Sequence, residues 1–191
     1  MTTPNLRDTL LAAGLTAFHH HGYNATSVLD IARIAGVPKG SFYYYFDSKE
    51  ALGAEVVELY GFSGTRRLVL ADPAIAPKDR LRRYFTDLND MFSGKEFVHG
   101  CLLGNLSAEL GDSSPLIRSR LAAVYEAWTG DIAAAIRAGQ ADGSIKSAFA
   151  ADDLAIAILD AWEGAVLRAR VAKDRRALDV FLAVGLETAL A

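Results

Sequence analysis

The stretch Thr26-Ser27-Val28-Leu-Asp30-Ile-Ala-Arg-Ile-Ala35-Gly36-Val37-Pro38-Lys39-Gly40-Ser41-Phe42-Tyr43-Tyr44-Tyr45-Phe46 decides the fold. Ser27, with Asp30 three residues later, has the spacing of a capping box and predicts a helix over 28–35. Gly36 stops that helix, and Pro38 restarts the chain with a φ pre-set for a first helical turn. A second short helix is predicted from Lys39 to Phe46, closed by Asp47-Ser48. Two short helices joined by Ala35-Gly36-Val37 have the spacing of a helix-turn-helix, whose second helix is able to enter a major groove.

That second helix carries five consecutive aromatics. At about 100° per residue, Phe42 and Phe46 share a face, Tyr44 points away from it, and Tyr43 and Tyr45 flank Tyr44. Five neighbouring aromatics cannot all enter one core. Some tyrosine rings must face solvent or a partner, with hydroxyls able to bond phosphate and rings able to touch a thymine methyl. For the aromatics alone, packing between helices is the plain alternative. Small Gly40 and Ser41, with Lys39 beside them, allow close approach to DNA. Lys49 opens the next helix, where free backbone N–H groups favour anions.

Helical periodicity continues in both directions. Leu6, Leu10, Leu11, Leu15 and Phe18 form an amphipathic stripe that ends at His19-His20-His21-Gly22. Asp47 and Glu50 form a cap-like pair before a long helix expected to reach about Leu70. Prolines at 73 and 77 mark a break, followed by helical segments over 78–92 and from Leu102 to Leu110. Ser114-Pro115 starts the next helix, to about Ala141, and two more run near 151–173 and 174–191. Strand signals are almost absent. The expected fold is all-α with about nine helices, divided into a helix-turn-helix domain at 1–50 and a ligand-binding and dimerisation domain at 51–191.

Composition limits the function. A chain of 191 residues with 51% hydrophobic and 23% charged residues is ordinary globular protein, one domain or two small ones. Its single cysteine permits no intrachain disulfide, no apolar run approaches the ~18 residues that cross a bilayer, and Met1-Thr-Thr-Pro lacks a signal-peptide profile. A cytoplasmic protein is expected. The net charge of −3 excludes coating nucleic acid by charge alone. Within residues 1–50, Arg7, Arg33, Lys39 and Lys49 balance Asp8, Asp30, Asp47 and Glu50, so DNA binding must rest on the placement of a few groups.

The run from Gly22 to Leu52, through the two helices above, resembles the DNA-binding domain of TetR-family transcriptional regulators. The resemblance implies a three-helix DNA-binding domain, a helix linking it to a ligand-binding domain, a homodimer, and usually repression relieved by a small molecule. By position, Thr26 and Ser27 would bind phosphate, Lys39, Gly40, Ser41, Tyr43, Tyr44 and Tyr45 would line the recognition surface, and Lys49 would clamp the DNA backbone. His99-Gly-Cys-Leu-Leu-Gly-Asn-Leu-Ser-Ala-Glu109 with Ser114-Pro115 further resembles the branch of acrylate- and N-ethylmaleimide-responsive repressors.

In the remainder, Tyr60, Phe92, Tyr125, Trp128 and Trp162 are candidate ligand-lining residues, each equally suited to a core. Cys101, at the expected first turn of a helix and near His99, is a candidate sensor of electrophiles or a buried small hydrophobe. Ala151, Ala155, Ala161, Gly164 and Ala165, with Leu178, Leu182, Gly185 and Ala189, are expected to form a four-helix dimer seam. The adjacent histidines point in different directions along a helix and do not make a metal site. No phosphate-binding glycine loop, nucleophile elbow or metal-ligand spacing marks an enzyme, and no cofactor is implied. The competing reading is a helical small-molecule-binding or dimerisation protein that binds no DNA.

Overall fold

Local caps set out the architecture. The computed structural model describes residues 5–191; residues 1–4, which begin the stretch read for a signal peptide, lie outside the described residues. The Asn5 side chain accepts from the Arg7 N–H and starts α1, Leu6–His21. Ser27 caps α2, Val28–Ala35, and Gly36 ends it at φ 71°, ψ 30°, the left-handed conformation that suits glycine. The Val37 N–H returns to the Ala32 carbonyl at 2.9 Å, closing the turn. Helix α3 spans Lys39–Tyr45, with Pro38 in the capping position rather than inside the first turn. About 75% of the chain is helical, and no strand occurs among the described residues.

Helix α4, Lys49–Phe62, departs from expectation at both ends. Its cap is Ser48, whose hydroxyl oxygen accepts from the Ala51 N–H at 3.0 Å, rather than Asp47. It stops eight residues before Leu70 because Ser63-Gly64-Thr65 favours a turn, and Arg66–Ala71 continue as a 3₁₀ helix. The series then follows the predicted order: α5 Pro77–Ser93, α6 Leu102–Leu110, α7 Pro115–Asp142 and α8 Ala151–Ala172. The segment read as one last helix is interrupted: α9 Arg176–Val180 leads into a π-helical turn, Phe181–Leu186, before α10, Glu187–Ala189.

Packing divides the chain into two compact units, one of residues up to Ser63 with Leu102–Val124, the other of Gly64–Cys101 with Tyr125–Ala191. The boundary is expected after residue 50, whereas packing keeps α4, α6 and the start of α7 with the helix-turn-helix. The first unit's core joins Leu10, Phe18, Ile31, Phe42, Leu52 and Val56, all fully buried. The Arg7 guanidinium bonds the Glu55 carboxylate and stacks 4.9 Å from the Phe46 ring centre, tying α1 to α4 and to the end of α3. Ser114 caps α7, and its hydroxyl donates to Glu50 on α4.

In the second unit, the Asn89 side chain is buried and bonded through both its oxygen and its nitrogen, accepting from the Trp162 indole at 2.9 Å and donating to the Leu178 carbonyl at 3.2 Å. The outer faces of α8 and the terminal helices correct part of the expected seam. Ala151, Ala155 and Leu178 are buried within this unit. The surface they were assigned to is instead formed by Ala161, Gly164, Leu167, Arg168 and Val171 with Val180, Val184 and Gly185. Between these elements lies an open groove of about 810 Å³, lined mainly by small and apolar side chains.

Gly61 on α4 meets Val124 on α7 so closely that an added Cβ would lie 2.4 Å from a Val124 methyl. Val124 is buried and β-branched, so it cannot turn away. Gly61→Ala is expected to destabilise the protein by about 1–3 kcal/mol by overpacking, despite the better helix propensity of alanine, as measured by chemical denaturation.

Candidate nucleic-acid interface

The reading head begins at the loop before α2. Ser27 and Asp30 form the complete capping box: the Asp30 N–H donates to the Ser27 hydroxyl at 3.2 Å, and the Ser27 N–H and hydroxyl donate to the Asp30 carboxylate at 2.9 and 2.6 Å. These hydrogen bonds from Ser27, aided by Arg33, hold the Asp30 carboxyl below the usual carboxylate range. Ser27 is exposed, at the amino end of a helix whose dipole favours anions.

Thr26 does not match its expected role. It is only 2% exposed, and its hydroxyl donates to the Gly22 carbonyl at 2.7 Å, so that proton is not offered to a phosphate. Lys49 also turns inward. Its ammonium donates to the Tyr23 and Thr26 carbonyls at 2.9 and 2.8 Å and sits 4.1 Å from the Tyr23 ring centre. Burial lowers its pKa, opposed by the nearby Glu109 charge. Lys49 and Thr26 therefore build the loop that presents Ser27.

Helix α3 separates its aromatics as the helical period requires. Phe42 and Phe46 are buried with ring centres 5.6 Å apart, whereas Tyr44 is 83% and Tyr43 54% exposed. Tyr45 is half-buried and meets Tyr44 edge-on at 4.9 Å. Lys39 and Gly40 are exposed and Ser41 half-buried at the start of the same helix. Nothing lies within 4 Å of where a Gly40 Cβ would be, so this glycine leaves an open surface. One face thus offers a cation, a small hydroxyl and three phenols without a carboxylate between them in sequence.

Sequence reasoning missed Glu109, Tyr23 and Arg7. The Glu109 carboxylate accepts from the Tyr23 and Asn24 N–H groups at 3.2 and 2.9 Å. These contacts join residues more than eighty positions apart, and no local pattern announces them.

Of the candidate ligand residues, five belong to the second unit and four of them pack together there. Trp162 lies 5.7 Å from Phe92 and 5.6 Å from Trp128, and Trp128 stacks on Tyr125 at 6.5 Å. Trp162, Phe92, Trp128 and Cys101 are buried. Cys101 hydrogen-bonds Glu163, whose pKa is raised chiefly by burial. Tyr60 belongs to the first unit, where its ring meets His19. Among the described residues, no group of three or more His, Cys, Asp or Glu is placed to hold a metal.

Comparison with known proteins agrees with this geometry. Residues 77–184 match the family described as tetracyclin repressor-like, C-terminal domain, and residues 10–56 match bacterial regulatory proteins, tetR family. The chain belongs to the TetR family. It is 37% identical to the HTH-type transcriptional repressor DhaR of Mycobacterium sp. (strain GP1), over all of this chain and 95% of that one. The transcriptional regulator AcuR of Cereibacter sphaeroides is also 37% identical, over 85% of this chain and 75% of AcuR. The crystal structure of reduced Escherichia coli NemR aligns with a TM-score of 0.89 at 29% identity, covering 97% of each chain. As a TetR-family member, the protein is a ligand-responsive, DNA-binding transcriptional regulator, and regulators of this family usually act as dimers.

Ser27→Ala is expected to remove the two hydroxyl bonds of the capping box, leaving the backbone N–H of that position on Asp30, and cost about 1 kcal/mol of stability. The Asp30 pKa is depressed in the folded state, so its contribution is complete above the usual carboxylate range and lost as pH falls through the depressed value. In the Ser27→Ala protein the Asp30 pKa should therefore move upward and the acid limb of the stability profile flatten, as read by NMR titration and denaturation across pH 2–6.

Proposed function

We propose that the protein is a cytoplasmic repressor that grips a pseudo-palindromic double-stranded operator as a two-fold homodimer. A small molecule or an electrophile then releases it. The observation that carries the DNA reading is the face of α3, with Tyr44 and Tyr43 held outward because Phe42 and Phe46 are buried. Tyr43, Tyr44 and Tyr45 read the major groove, Lys39, Gly40 and Ser41 meet it at the helix start, and exposed Ser27 contacts phosphate by turning its hydroxyl proton away from Asp30. Thr26 and Lys49 act from behind by shaping the loop. The site residues bind and do not catalyse. Among the described residues no helix is long and apolar enough to cross a membrane.

A homodimer is supported by the exposed groove and by Gly164. Nothing in its own chain lies within 4 Å of a Gly164 Cβ, so no internal contact explains a glycine in the middle of α8. Exposed Val180 and Val184 line the groove, and Leu167 and Val171 are also exposed on α8, an apolar surface suited to a second copy. Inducer binding falls to the aromatic cluster of the second unit, with Cys101 as the group that would react with an electrophile.

Four outcomes test this reading. In gel shifts with DNA upstream of the protein's own gene, wild type should protect two half-sites about 34–36 Å apart, or a multiple of that. Tyr44→Ala should weaken specific binding at least tenfold while leaving non-specific binding nearly unchanged. Gly164→Arg should yield a folded monomer by sedimentation, with operator affinity lost. N-ethylmaleimide should release wild type from DNA but not Cys101→Ser; retention of both would assign Cys101 to packing and the inducer to a non-covalent ligand.

A further inference from the structure

The α1–α2 loop is held from two sides by opposite charges on different helices. From α4, Lys49 takes the Tyr23 and Thr26 carbonyls; from the end of α6, Glu109 takes the Tyr23 and Asn24 N–H groups. Tyr23 thus has its N–H, its carbonyl and its ring all engaged, the ring also lying 5.0 Å from Phe18. Gly22 makes the approach feasible. Its φ is +82°, and a Cβ there would lie 2.7 Å from a Glu109 carboxylate oxygen. Five residues after Gly22, the same loop delivers the Ser27 cap of α2.

Both loop N–H groups accepted by Glu109 lack an intrahelical partner, because they fall between α1 and α2. A carboxylate with two oxygens is suited to two successive N–H groups, and hydrogen bonds to a charged acceptor are about twice as strong as neutral ones. Glu109 lies in the last turn of α6, whose first residue, Leu102, directly follows Cys101.

We propose that Glu109 is a positioning residue for DNA recognition: it holds the α1–α2 loop in the conformation that presents Ser27 and α2 to the operator. The proposal rests on the DNA-binding reading above and adds a residue from outside the helix-turn-helix that positions that site. Glu109 itself does not touch DNA. It acts through the loop backbone.

The test combines operator affinity with amide exchange on the full-length protein. Glu109→Ala should weaken operator binding about tenfold or more, the weight of hydrogen bonds to a charged group. Glu109→Gln, which keeps one acceptor oxygen, should fall between it and wild type and guards against failure of the alanine variant to fold. In both variants the Tyr23 and Asn24 amides should exchange faster, while those of Gly36 and Val37, in the turn of the same motif, keep their wild-type rates. A merely stabilising role would speed all four together, through global unfolding. Equal acceleration, or wild-type affinity in both variants, overturns the proposal. If wild type itself retards no operator DNA, the DNA-binding reading falls instead, and the clamp is judged on the selectivity of exchange alone.

Discussion

Burial of Phe42 and Phe46, one helical turn apart, is the constraint on which the reading head depends. Helix α3 is seven residues long, too short to be stable alone, so its conformation comes from docking. Two aromatic anchors on one face fix both its position and its rotation. With those set, the intervening tyrosines have no freedom to turn inward, and their exposure follows from the period of the helix. Arg7 closes the arrangement from the far side, its guanidinium stacked on Phe46 while it bonds Glu55. The exposed phenols are therefore held by a core they do not enter.

Polar residues in this unit divide into those that present a surface and those that hold the presenting backbone. Lys39 and Ser27 belong to the first kind, Lys49, Thr26 and Glu109 to the second. Both kinds have the residue types expected at a phosphate-binding surface. Burial and hydrogen-bond partners tell them apart. An ammonium that bonds two carbonyls and covers a tyrosine ring has its positive charge directed at the protein, even though it opens a helix as a phosphate-binding lysine would.

The sequence made legible what depends on neighbours along the chain. Ser27 and Asp30 announced their helix start, Gly36 its stop, and the Phe42–Phe46 spacing the buried face of α3. Where competing local signals met, legibility failed: Ser48 took the cap that Asp47 also offers, and Ser63-Gly64-Thr65 ended a helix whose apolar pattern continued. Long-range partners were not legible at all. Glu109 looks like any surface carboxylate on a short helix, and only the folded chain brings it to Tyr23. Ala155 and Leu178 showed the small-residue and apolar spacing of a seam, but spacing alone does not say whether a face packs within one chain or between two.

The π-helical turn at Phe181–Leu186 bears on how this chain tolerates changes in length. A π turn accommodates one residue more than an α turn, so it stands as an insertion absorbed within a helix rather than in a loop. Everything beyond it keeps its direction because the turn itself takes up the extra residue. Glu187 reaches Arg82 with both carboxylate oxygens, and Leu190 is fully buried. Deleting one residue from the turn would restore an ordinary α turn and leave both facing their partners, whereas a deletion in the regular helix before it would rotate both by about 100°. A one-residue gap is thus better borne at this turn than elsewhere in the same helix, where the count of residues is as much a part of the structure as their identity.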